Sequence, residues 1–358
     1  MQHRRFGLLG MGVLFTTAVA MGVVGCQAEG SSSGPSGPGG TGGSGASTTS
    51  TSGDGGSAPG VGGSTNVGGG GEGGEGGGTA ADPPDASIPD INTGAIPSGA
   101  KVTVRGAVAM SSKYLVSRGS SGSCLWGVYL SAPGLTEVAP HTGIIALSYG
   151  TNATTGSNGQ LYCPILGQVP AGDSFPDDVA PGDVLDVVGE ASSFLLNQCS
   201  QQAPENNPSQ IPQRQLAKVS KVTVTGSAPV PTAKLLTGAD VAKLVSPTDA
   251  AFHGQWAGAK VRIEGVSRVD ANAPDDYLYV SLGQGVPRLE IARNVWYRAQ
   301  SSDACRSRTS FPVNHSFDHL EGFSSIDFCS WKLLPGDKCA DYAPRDVSCG
   351  AVTDCTPD

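Results

Sequence analysis

Aromatic side chains are scarce in this 358-residue chain, 6% of the total, and none occurs between Phe15 and Tyr114. Without large apolar side chains that stretch has little to bury, which excludes it from a packed core. Residues 27–95 also lack Lys and Arg altogether, while carrying Glu29, Asp54, Glu72, Glu75, Asp82, Asp85 and Asp90. A second long apolar run is missing, so a multi-span membrane protein is excluded. Catalytic signatures are missing too: residues 96–358 contain no G-x-S-x-G, and the chain has no H-E-x-x-H and no Walker sequence. Histidine is rare, with His3, His141, His253, His315 and His319 making up the whole set. What remains ordinary is residues 96–358, whose apolar content suffices for one or two domains of about 100–150 residues.

The N-terminus is an address. Met1 to Arg5 is basic, Phe6 to Ala20 is mostly apolar, and the run closes on Val23-Val24-Gly25-Cys26. A basic start, a short apolar core and small residues at the end describe a signal peptide, here residues 1–25. Its VVGC ending resembles the bacterial lipobox. That resemblance implies acylation of Cys26, which would become the mature N-terminus and hold the protein to a membrane, as two or three acyl chains do. Gln27 follows the Cys rather than Asp, which implies sorting to the outer membrane or cell surface.

Residues 26–95 form the tether. Residues 30–80 hold 23 of the 53 glycines, with no periodicity. Nothing there offsets the entropy of ordering, so disorder is expected. A Gly-rich coil of about 70 residues reaches roughly 45 Å, from about 5–6 Å × √n. Its GG pairs follow no strand and lead to no GK[ST], which removes a phosphate loop.

The folded part contains a weak repeat. Lys101-Val-Thr-Val-Arg-Gly106 is echoed by Lys260-Val-Arg-Ile-Glu-Gly265. Apolar and polar residues alternate in both, the period of a half-buried strand. Further strands are expected at Leu125–Leu130, Gly143–Ser148, Pro181–Gly189, Gln215–Thr225 and Tyr277–Leu282, with a helix over Thr237–Val245. Short strands, Gly- and Pro-rich turns and a glycine inside the first strand suit small closed barrels. The segments VTVRGAVA, LWGVYL and VAPGDVLDVVGEASSF resemble the OB-fold-like domains of secreted bacterial lipoproteins and of proteins with extracellular nucleases. The second unit is similar, from FHGQWAGAKVRIEGV to Gly322–Pro335, which resembles the family's closing strand and its W-x-L-x-P tail, with Gly336 in place of the tail's usual Arg. The resemblance implies an all-β fold of two tandem five-stranded OB-like barrels, at 96–227 and 250–358, joined by a helix-bearing linker at 228–249. It lends no catalytic residues, because no nuclease or phosphatase module is attached.

Candidate sites are thin. His315-Ser-Phe-Asp318-His319 would face a metal only on a helix, and Phe311-Pro312 and Phe317 argue for a loop entering a strand. Asp270, Asn272, Asp275 and Asp276 offer alternating oxygen ligands but lack the Gly and Glu of a calcium loop. Asp173, Asp177, Asp178 and Asp183, with Pro176 and Pro181 among them, describe a solvated loop. No metal or cofactor is expected. Arg288, Arg293, Trp296 and Arg298 form the one basic, aromatic-bearing run, a candidate ligand patch, although residues 96–358 are acidic overall, with 20 Lys and Arg against 24 Asp and Glu. Trp126, Trp256, Trp296 and Trp331 are expected as packing residues first. Removing Cys26 leaves eight cysteines (Cys124, Cys163, Cys199, Cys305, Cys329, Cys339, Cys349, Cys355), an even number in an exported chain, which implies disulfides. Three precede the linker and five follow it, so full pairing demands a bridge between the halves.

The reading that gathers these points is a non-catalytic, membrane-anchored lipoprotein whose tandem barrels bind a protein or glycan. An accessory single-stranded nucleic-acid-binding module and a hydrolase are the alternatives.

Overall fold

Folding starts earlier than the 96 boundary expected from composition. Ser87 accepts a hydrogen bond from Asp90 N and Gly94, at φ 81°, terminates the helix α1 (Ile88–Thr93) between them. A Ser cap and a left-handed glycine are standard helix punctuation. Ile88 and Ile91 of α1 are 1% and 0% exposed and belong to the core of the first barrel. In a Gly-rich tether such a short capped segment is easily overlooked. The computed structural model describes residues 82–118, 123–155, 161–164, 166, 170–195, 208–269, 278–292, 311–327, 329–337 and 340–344.

The first half is built from β1 (Lys101–Ala109), β2 (Tyr114–Arg118), β3 (Ser123–Ser131), β4 (Gly143–Asn152), β5 (Thr154–Thr155), β6 (Leu161–Tyr162), β7 (Asp183–Phe194) and β8 (Gln213–Ser227). Strands β1, β7, β8, β4 and β3 pair in that order, and β3 returns to β1, closing a five-stranded barrel with β2 added outside β3. The β4–β8 contact is parallel and the other pairings around the ring are antiparallel. The five expected strands are all present; β2 was not foreseen. Val102, Val104, Val128, Leu130, Ile144, Ala146, Leu185 and Val187 point inward, joined by Phe175 and Val179 from the β6–β7 connection.

The second half comprises β9 (Lys234–Leu235), α2 (Gly238–Leu244), α3 (Ala250–Trp256), β10 (Lys260–Arg268), β11 (Leu278–Ser281), β12 (Leu289–Ile291), β13 (Ser316–Asp327), β14 (Ser330–Leu334) and β15 (Tyr342–Ala343). They form one sheet in the order β15-β13-β14-β12-β11-β10-β9, with β10 also pairing to β13. A capping box, in which Thr237 and Asp240 satisfy each other's backbone N–H, starts α2 within the expected helix. The run Gly322–Pro335 is the end of β13, a tight turn at Cys329 (φ 74°) and β14, so the W-x-L-x-P segment expected as a tail is itself a strand paired back on β13. Strand-like residues on both sides of the turn, without a Gly or Pro between them, hid the reversal.

The repeated glycines take the same shape: Gly106 has φ 64° and Gly265 φ 63°. A side chain is disfavoured there. The K-V-x-[VI]-x-G echo is therefore a structural repeat, one copy per half.

The halves are not loosely strung. Strand pleating sends Leu125 and Tyr129 of β3, and Ile145 and Leu147 of β4, outward from the barrel. These meet Ala259, Ala292, Phe323 and Leu334 of the second half in one buried cluster. Tyr129 and Phe323 stack at 4.0 Å, with Tyr114 at 5.9 Å on the other side of Tyr129. Backbones also touch: a Cβ on Gly143 would lie 2.5 Å from Ala259 N, and one on Gly258 would lie 2.9 Å from Ile144 Cα. Gln213 Oε1 accepts from Ser325 Oγ and Ile326 N, both at 2.8 Å, and Trp331 Nε1 donates to Ser209 Oγ at 2.8 Å.

Candidate ligand-binding face

Three buried ion clusters hold the charged side chains that lie deepest in the fold. In the first, Lys113 Nζ donates to Asp173 Oδ1, to Asp177 Oδ1 at 2.6 Å and to the Phe175 carbonyl at 3.0 Å. The Lys113 and Asp173 side chains are fully buried, and Asp177 keeps 32% of its exposure. Three donors meet three acceptors, so the ammonium is saturated. Burial holds the Asp173 carboxyl above its ordinary range, with Lys113 pulling it part of the way back. Lys113 also lies 5.2 Å from the centre of the Trp126 ring. The acidic loop around Asp173 is thus a clasp, not a solvated turn. Its partner, Lys113, stands 60 residues away in an unremarkable serine-rich stretch, so no local pattern announced it.

The disulfide Cys124–Cys163 fastens the same region. Cys124, Cys163, Trp126, Leu115 and Ala171 form one buried group. Together they tie the long β4–β7 connection down, the disulfide to β3 and the clasp to the β1–β2 connection. Cys329 is also disulfide-bonded. Cys199, Cys305, Cys339, Cys349, Cys355 and the lipidation candidate Cys26 lie outside the described residues.

The second cluster lies on the outward face of β12 and β14. Register pairs Ile291 with Leu333 inside the core, which turns Glu290 and Lys332 the other way. Lys332 Nζ sits 2.6 Å from Glu290 Oε1 and 3.5 Å from Asp327 Oδ2, with Lys332 wholly buried. Burial raises the Glu290 carboxyl, against the pull of Lys332 and of the Tyr279 hydroxyl. Tyr279 stands opposite Glu290 in the β11–β12 ladder. The Arg288 guanidinium caps the Tyr279 ring at 4.6 Å. A continuous polar chain therefore runs from half-exposed Arg288 through Tyr279 and Glu290 to buried Lys332. The third cluster, Lys260 with Asp341 at 2.8 Å and Glu321 at 3.2 Å, fastens β15 to β10 and β13.

Of the expected ligand patch, Arg288 is thus placed against an aromatic face, while Arg293, Trp296 and Arg298 lie outside the described residues. So do Asp270, Asn272, Asp275 and Asp276. β13 begins at Ser316, so His315 and His319 are spaced along extended chain, and the His315 ring packs 5.0 Å from Phe311 and 4.8 Å from Phe317. Among the described residues no group of three His, Cys, Asp or Glu side chains is arranged to hold a metal. Trp126 and Trp331 are 0% and 2% exposed and belong to packing, as their type led one to expect.

Chemically, Lys113 and Lys332 are committed to carboxylates out of solvent's reach, which leaves neither as a base or nucleophile toward a solute. Just before β12, half-exposed Arg288 lies over the buried ring of Tyr279. These features define a mostly β protein with a closed barrel and a second sheet. The chain matches no family model, no curated protein and no solved structure.

Proposed function

We propose that this chain is a non-catalytic, lipid-anchored surface protein whose two OB-like units bind a protein or glycan partner. Strand order supports the OB reading of both halves. Numbering each set in chain order, β1-β3-β4-β7-β8 and β10-β11-β12-β13-β14 both close as 1-2-3-5-4-1, with strands 3 and 5 parallel. In OB folds the outer face of strands 2 and 3 binds oligonucleotides and oligosaccharides. In the first half that face, β3 and β4, is covered by the second half. In the second half it is β11 and β12, where Tyr279 is buried beneath half-exposed Arg288, the residue just before β12.

The observation that carries the binding reading is the shared strand order, with half-exposed Arg288 lying over the buried Tyr279 ring beside the strand 2–strand 3 face of the second half. An Arg on an aromatic plane suits carboxylate-bearing or sugar ligands, by bidentate hydrogen bonds and stacking. The single-stranded nucleic-acid alternative draws on the same topology but calls for a basic groove with stacking platforms. The full-length chain, immobilised by its N-terminus, is to be tested against a glycan array, a surface-protein extract and a single-stranded oligonucleotide. Saturable glycan or protein binding that falls about tenfold in Arg288→Ala is expected. Retention of the oligonucleotide alone, weakening steeply with salt, would replace this reading with the alternative.

A further inference from the structure

His253 has a role that no binding reading requires. It lies in α3 at 1% exposure, its ring stacked on Trp331 at 3.9 Å and 6°. Its Nε2 lies 2.7 Å from the Ser246 carbonyl, the acceptor that assigns the ring proton to Nε2, and Nδ1 finds no hydrogen-bond partner among the described residues. Ser246 belongs to the α2–α3 turn, so this bond fixes how the helical pair seats on the sheet. Trp331, on the far side of the stack, donates to Ser209, and Ser209 N donates to the Cys329 carbonyl at 2.7 Å. Gln210 N completes the ring of contacts by donating to the Pro247 carbonyl at 2.9 Å. One imidazole therefore joins α2, α3, β14 and the lead into β8, which crosses from the first half.

The charges around it are few. On its own helix Asp249 caps the N-terminus through Phe252 N. From α2, Lys243 turns to Asp240 at 3.9 Å. From β14, Lys332 lies on the opposite face with Glu290 and Asp327. Residues 208–211 carry no charge. A second ring proton would stand on Nδ1, which has no acceptor in a site closed to water. Burying such a donor uncompensated is costly, and the indole face returns only part through a cation–π contact.

We infer that His253 is an acid-sensitive latch: protonation at Nδ1 releases the α2–α3 pair and the 208–211 segment from β14. The direction follows from linkage. Burial lowers the His253 value from 6.5 to about 4, against the opposing pull of Ser246 and Asp249. Between those values the open chain binds the proton and the closed fold does not, so closure weakens as pH falls from 6.5 toward 4. The difference of 2.5 units corresponds to a roughly 300-fold drop in the closed-to-open ratio, at tenfold per unit. The buried carboxyls work the other way. Asp173, Glu290 and Asp341 are raised by burial, so they take up protons earlier in the fold than outside it. They favour the closed state as acid is added, and leave His253 to account for opening.

The test uses the full-length chain between pH 7 and 3. The His253 ring resonance is followed by NMR alongside hydrogen exchange of the backbone amides. Titration of the ring near 4, with amides of 241–253 losing protection before the β1–β8 barrel, is expected. His253→Gln keeps an amide donor for Ser246 but cannot titrate there, and should keep those amides protected over the same range. Asp249→Asn should lower the ring's midpoint. A His253 titration near 6.5, an unchanged acid transition in His253→Gln, or simultaneous loss across both halves would overturn the latch. Should His253→Gln fail to fold, the ring titration in the unsubstituted chain decides alone.

Discussion

Lys113 shows how much a single side chain holds at the residue scale. Its ammonium is surrounded by Asp173, Asp177 and a carbonyl, and among the described residues no other cation pairs with those carboxylates. Lys113→Met is expected to cost about 3–5 kcal/mol, because a buried charge is left uncompensated, and urea unfolding with an unchanged m-value would register it. Adding Asp173→Leu to Lys113→Met should restore part of the loss, since the pair's desolvation is removed with it. A variant as stable as the parent would mean the loop carries no clasp. Sequence could not have shown this pairing, because ion pairs across 60 residues follow from topology, not from spacing. Cation and acids were both visible, but the acids lay beside prolines and so had the composition of a surface loop.

Among the elements, the strands were legible and their neighbours were not. Alternation marked β1 and β10, whereas β3 and β4 are apolar runs whose two faces are both buried, one in the barrel and one in the seam. The helix α3 and strand β2 escaped: α3 is seven residues with a glycine inside it, and β2 is five residues that end on Ser and Arg. The seam between the halves was equally hidden. Outward residues such as Ile145 and Leu147 resemble any strand's alternate positions until a second surface is set against them. Gly143 tests the seam directly. Gly143→Ala places a methyl against the Ala259 backbone and should destabilise by about 1–3 kcal/mol, as overpacking does, measured by thermal or urea unfolding. The equally buried Ala146→Gly, which opens space inside the barrel instead of closing it at the seam, should leave the contact between halves intact, read as unchanged protection of Phe323 and Leu334 amides.

At the scale of the whole molecule, the cysteines give the sharpest expectation. With Cys124 and Cys163 joined, Cys199 is the only cysteine left before the second half. If all eight pair, Cys199 must cross between the halves. Peptide mapping without reductant should find it linked to a peptide beyond residue 300, closing a loop of about 100 residues or more and adding roughly 4–5 kcal/mol by chain entropy. A free thiol at Cys199 would defeat this. The tether makes the opposite demand: deleting residues 31–80 should leave the melting temperature unchanged, because no buried residue described above is removed. At the chain's start, Cys26→Ala should move the protein out of the membrane fraction; unchanged retention at mature mass would end the lipid-anchor proposal.

The shared seam also sets a schedule for the molecule's birth. A ribosome delivers the first barrel before the second exists, so Tyr114, Leu125, Tyr129, Ile145 and Leu147 emerge as an uncovered greasy patch. Such patches attract one another as readily as their proper mate. Until Phe323 and Leu334 arrive, some 175 residues after Ile145 by the numbering, the newborn half needs a chaperone or dilution to stay single. Truncation after the first barrel should therefore yield clumps, not a small soluble domain.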